Sequence, residues 1–74
     1  MAKQLPTVPP RLCILRRREV EARTGLSRST IYLRCSQKTF PTPIQLGGRA
    51  VGWVESEIDA WLQEQIASSR QANQ

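Results

Sequence analysis

Ser27-Arg28-Ser29-Thr30, with Tyr32 and Arg34 a turn further on, holds the side chains of this sequence best suited to reading a polyanion. An arginine such as Arg28 can set two hydrogen bonds on the O6 and N7 edge of a guanine. Ser29 and Thr30 can each serve a base edge or a phosphate, and amides at a helix start also favour a phosphate oxygen. Plainer readings stand beside these: Ser27 only caps a helix, Arg28 is only solvated, and Tyr32 packs its ring while its hydroxyl reaches a phosphate. Arg49 follows Gly47-Gly48. An arginine on such a turn can enter a minor groove or clamp its phosphates, where narrow A·T tracts concentrate negative potential. Its plainer reading is an ordinary exposed turn residue. Arg16, Arg17, Arg18 and Lys38 read as phosphate contacts or solvated charge, adding affinity without sequence information.

Other chemistries find little support. The chain has no histidine and two cysteines, Cys13 and Cys35, so a zinc site lacks ligands and the thiols read as idle or buried. No metal cluster, phosphate-binding glycine loop or nucleophile–base pair suggests an enzyme, and no cofactor is expected. No apolar run approaches the roughly 20 residues of a membrane span. Met1-Ala2-Lys3-Gln4-Leu5-Pro6 lacks the apolar core of a signal peptide. The expected location is therefore the cytoplasm, with no membrane partner. Residues 1–53 hold ten of the eleven basic residues against Glu19 and Glu21, a net +8, whereas residues 54–74 hold Arg70 against Glu55, Glu57, Asp59 and Glu64, a net −3. This split implies one face for a polyanion and one turned away from it.

The elements that must position these residues follow from pattern. Residues 1–10, with Pro6, Pro9 and Pro10, read as a flexible leader, residues 11–67 as the folded unit, and the polar residues 68–74 as a fraying tail. A first helix is expected from Arg17 to Arg23, with Glu19 suiting its dipole and Gly25 ending it. Its start is weakly defined, because neither Arg16 nor Arg17 offers a capping group. Ser27 then caps a second helix from Arg28 to about Gln37, with Ile31 and Cys35 on its inner face. The short Thr24-Gly25-Leu26 link forces a sharp angle, as in a helix-turn-helix; an αα-hairpin without a ligand is the alternative. Phe40-Pro41-Thr42-Pro43 favours an extended path. Ile44-Gln45-Leu46 and Val51-Gly52-Trp53 alternate around Gly47-Gly48, predicting a hairpin whose Ile44, Leu46, Val51 and Trp53 share one face against the helices. In the last helix Glu55, Glu57 and Asp59 crowd the first turns, and Ile58, Trp61, Leu62 and Ile66 form the inner stripe. Both tryptophans read as core. The fold class is mainly α with a small β-hairpin, a winged helix-turn-helix of three helices.

The ordered series Glu19-Val20, Thr24-Gly25-Leu26-Ser27-Arg28-Ser29-Thr30-Ile31-Tyr32, Phe40-Pro41, Leu46-Gly47-Gly48-Arg49-Ala50-Val51-Gly52-Trp53 and Ser56-Glu57-Ile58-Asp59-Ala60-Trp61-Leu62 resembles the AlpA family of prophage regulators, over about residues 14–66. That family is related to phage excisionases and to MerR-type winged helices. It often has glycine near position 38 and an apolar residue at position 17, where this chain has Lys38 and Arg17. The resemblance implies a DNA-binding transcriptional regulator in bacteria, tied to integrase expression and excision of an integrated element. Three roles are open: regulator at an integrase promoter, excisionase that bends attachment-site DNA, or a protein-interaction module such as an antirepressor using the Trp61 helix. The partners implied are double-stranded DNA, further copies of the chain on adjacent sites, and integrase. The residues expected on DNA are Ser27, Arg28, Ser29, Thr30, Tyr32, Arg34, Arg49, Arg18 and Lys38.

Overall fold

The first helix begins without a hydroxyl or carboxamide cap, and Glu19 supplies what is missing. Its Oε1 accepts the backbone amide of Arg16 at 2.7 Å, closing the first turn of α1 (Arg17–Thr24). The start is thus better defined than the residues at 16 and 17 suggest. α1 ends where Gly25 enters the left-handed region at φ 77° and its amide reaches the Glu21 carbonyl at 2.8 Å. After the short link, Ser27 caps α2 (Arg28–Ser36). These two helices, the glycine between them and Leu26 packed against the core make the expected helix-turn-helix.

The computed structural model describes residues 12–72, so the leader expected over 1–10 lies outside the described residues. A two-residue strand, β1 (Ile14–Leu15), precedes α1 and was not expected. It pairs antiparallel with β3 (Ala50–Val54), which also pairs with β2 (Ile44–Gly47), giving a three-stranded sheet in the order β1-β3-β2. The expected hairpin is the β2–β3 part of this sheet, turning through Gly48 and Arg49. Its facing differs from expectation. Ile44 pairs with Gly52 and Gln45 with Val51, and the register shifts at Leu46. A displacement of one residue moves a side chain to the other face of a sheet. Val51 and Trp53 therefore face the helices, whereas Ile44 and Leu46 lie on the outer face, 38% and 44% exposed.

Gly52 lies on that outer face of β3, between the side chains that β1 and β2 place on either side of it. A Cβ there would collide with Cγ2 of Ile14 and lie 3.2 Å from both the Leu15 carbonyl and Cδ1 of Leu46. The close approach of β1 to the wing therefore requires glycine. β3 runs directly into α3 (Glu55–Ala72), whose first turn carries Glu55 and Glu57. The core comprises Leu15, Val20, Ile31, Phe40, Trp53 and Ile58, with Leu26, Cys35, Val51, Trp61 and Leu62 packed around it. The α3 stripe stops at Leu62. Ile66, expected inside, is 44% exposed, because among the described residues the packing of α3 on the core ends at Leu62. The polar stretch from Ser68 is helical as far as Ala72, rather than frayed.

Arg23 joins the last residues of α1 to α3, donating to Asp59 Oδ1 at 2.8 Å and Glu55 Oε2 at 2.6 Å. The segment between α2 and the wing is held just as definitely. Trp61 Nε1 donates to the Thr39 carbonyl at 2.8 Å and Trp53 Nε1 to the Pro41 carbonyl at 3.1 Å. Phe40 lies between these anchors, buried and edge-on to Trp61 with 4.8 Å between ring centres. Both indoles thus satisfy their N–H groups while packing, Trp53 fully buried and Trp61 half-buried at the edge of the core.

Candidate nucleic-acid interface

The cap of α2 uses up its hydroxyl. Ser27 Oγ accepts the Thr30 amide at 3.2 Å and donates to Thr30 Oγ1 at 2.9 Å, with Ser29 Oγ 3.3 Å away. Of the expected contacts on this turn, Arg28 and Ser29 are exposed and Thr30 is half-buried. Ile31 points wholly inward, so the helical period aims Ser29, Tyr32, Leu33 and Ser36 outward with Arg28 on their flank. The Arg28 guanidinium carbon lies 5.9 Å from the centre of the Tyr32 ring, a cation–π distance that holds both side chains at the same edge of the helix.

Tyr32 also lines an open concavity of about 370 Å³ whose other walls are Arg16, Arg17, Arg18, Arg49 and Val51. The start of α1, the middle of α2 and the tip of the wing meet there. Three constraints shape it. Arg16 Nε donates to the Val51 carbonyl at 3.0 Å, fastening the α1 cap to the wing. Arg17 pairs with Glu21 one turn on, which neutralises it in part. Arg18 and Arg49 form no ion pair among the described residues and keep their full charge toward the opening. Four guanidinium groups around one concavity make a strongly anion-attracting surface.

Arg34 and Lys38 do not join this group. Arg34, three residues beyond buried Ile31, lies on the flank of α2 that faces α3. Its guanidinium carbon sits 5.9 Å from the Trp61 ring centre, and its Nε is buried without a hydrogen-bond partner. Lys38 ends the helix: its amide donates to the Cys35 carbonyl at 3.1 Å and that of Thr39 to the Arg34 carbonyl at 3.0 Å. This is a Schellman closure, and it puts Lys38 at φ 61°, a conformation in which glycine avoids the steric cost. Lys38 borders a second, wider groove lined by Phe40, Pro43, Trp61, Glu57 and Glu64. Ser27, Arg28, Ser29, Tyr32, Arg18 and Arg49 thus form one continuous exposed surface, with Arg34 and Lys38 on its far side.

Leu33 was missed by sequence reasoning. It is 55% exposed at the middle of the outward face. Its signal was available, since it lies two positions from Ile31 and cannot share that residue's inner face. The cysteines stay outside the surface: Cys35 packs against the core, and Cys13 is exposed beside α3. Loss of solvent raises both thiols above the ordinary range, with Glu55 adding to the effect at Cys13, so neither is a thiolate near neutral pH.

Residues 13–66 match the family model described as prophage CP4-57 regulatory protein (AlpA). The chain belongs to the AlpA family. It is 44% identical over 57 residues to the DNA-binding transcriptional activator AlpA of Escherichia coli K12, an alignment covering 69% of this chain and 81% of that protein. It is also 45% identical over 56 residues to the uncharacterized protein ORF88 of Enterobacteria phage P4, covering 76% of this chain. There the match spans 64% of the phage protein's length. No solved structure matches the chain.

Proposed function

We propose that this AlpA-family chain is a sequence-specific, double-stranded-DNA-binding transcriptional regulator of a prophage or integrated element, acting on integrase expression rather than as an enzyme. The observation that carries this reading is the convergence of Arg18, Tyr32 and Arg49, from three separate elements, beside the exposed face of α2. A helix of this kind fits the major groove while an adjoining wing reaches the neighbouring backbone or minor groove. The name of the E. coli relative supports the same reading.

In this reading α2 enters the groove by its outward face, and Arg28 reads a base edge. Arg18 and Arg49 hold the phosphates on one side of the helix, and Lys38 reaches toward those on the other. Ser27 stays a cap. Of the carboxylates of α3, Glu55 and Asp59 are engaged by Arg23, whereas Glu57 and Glu64 line the same groove as Lys38, on the side away from Arg18 and Arg49. One such module covers a short site, so further copies bind adjacent sites. The test is selection of bound duplexes from a random pool with the full chain, followed by mapping of the recovered motif. Enrichment of one motif at an integrase promoter is the expected result. Recovery at attachment sites alone, with bending of the bound DNA, makes the chain an excisionase instead. Absence of any enriched duplex overturns the reading.

A further inference from the structure

We propose that Leu33 is a specificity-determining residue that reads the 5-methyl group of a thymine; this rests on the DNA-binding reading above. An exposed leucine alone means little, since single apolar side chains are common on protein surfaces. The setting of this one is more particular. Leu33 is 55% exposed at the centre of the outward face of α2, and the exposed residues one turn away on that face are Ser29, Ser36 and the helix-ending Gln37, of which the two serines are the helix's own. Both are short and uncharged, so the helix can approach base edges closely there. Their hydroxyls are already engaged: Ser36 Oγ donates to the Leu33 carbonyl at 2.7 Å, and Ser29 Oγ lies 3.3 Å from Ser27 Oγ. The part of α2 that would lie deepest in a groove therefore presents an isobutyl group between two short side chains whose hydroxyl protons are committed within the helix.

In the major groove the one apolar feature that distinguishes base pairs is the thymine methyl. A leucine matches it by shape and by loss of water from both. Leu33 lies five residues after Arg28, which at 1.5 Å per residue is about 7.5 Å along the helix. At about 3.4 Å per base step, the thymine falls about two base pairs from the one Arg28 reads.

Deoxyuridine removes the methyl and leaves the hydrogen-bonding edges of the base pair unchanged. The selected duplex is therefore remade with each thymine replaced singly by deoxyuridine and titrated with the wild-type chain and with Leu33→Ala. One substitution should weaken wild-type binding about fourfold, the worth of one buried methyl-sized group. Leu33→Ala should bind that duplex and its thymine parent equally. Its circular dichroism and melting should match wild type, because Leu33 supports no core contact. Wild-type indifference to every substitution, or unchanged discrimination by folded Leu33→Ala, overturns the inference and leaves the DNA-binding reading standing. Binding to no duplex at all overturns both.

Discussion

Arg28 and Arg49 carry the same charge on different supports, and the difference should decide what each one senses. Arg28 stands at the start of α2 with Tyr32 beneath it, a base-reading position, so Arg28→Ala should cost about 1–3 kcal/mol on the preferred site and relax selection at one base pair. Arg49 stands on the turn of the wing, and Arg49→Ala should weaken binding most on sites with narrow A·T-rich flanks, leaving the selected core bases unchanged. Repeating the duplex selection with each folded variant checks both outcomes. Recovery of the wild-type motif at wild-type affinity by Arg28→Ala would remove α2 as the reader. Lys38 sets stability against function within one residue. Lys38→Gly should relieve its left-handed backbone and stabilise the fold by about 0.5–1 kcal/mol, a rise of a few degrees in thermal melting. The same change should weaken binding to all duplexes alike if the ammonium group meets a phosphate.

At the scale of elements, the wing depends on how closely β1 can lie beside it. Gly52→Ala should destabilise the protein by about 1–3 kcal/mol in urea unfolding, because the new methyl meets Ile14 and the Leu15 carbonyl. Adding Ile14→Ala should recover only part of the loss, since the carbonyl cannot be trimmed. The two helices of the helix-turn-helix were legible in the sequence because Ser27 and Gly25 punctuate them and Ile31 marks an inner face. The hairpin was legible as an element but not in its facing. Strict alternation around Gly47-Gly48 put Ile44 and Leu46 inside, whereas the register shift at Leu46 put them out. Pairing with β1 was invisible for a related reason: two residues are too few to show a period, and their partner lies 38 positions or more away. Phe40 was hidden by the prolines around it, which signalled an extended path and said nothing of what the path buries. In the candidate site, Arg28, Tyr32 and Arg49 could be named from residue type and spacing. That Arg34 turns to Trp61 could not, because position 34 lies at the border between the two faces of α2.

For the molecule as a whole, charge is arranged rather than merely abundant. Affinity for duplex should fall linearly with the logarithm of salt concentration, and Arg18→Ala should reduce that slope by about 1, equally on specific and random DNA. Arg23→Gln should leave the slope unchanged, because Arg23 is already engaged by Glu55 and Asp59. Titrations over a salt series distinguish the two, and equal slopes for wild type and Arg18→Ala would place the phosphate contacts elsewhere. The paired indole hydrogen bonds to Thr39 and Pro41 have a mechanical consequence. They tie the connection between α2 and the wing to β3 and to α3, making it a caliper whose span resists change. A protein gripping two neighbouring features of DNA through such a caliper measures the rotation between them, so its binding should track the winding of the DNA and rise or fall with superhelical tension.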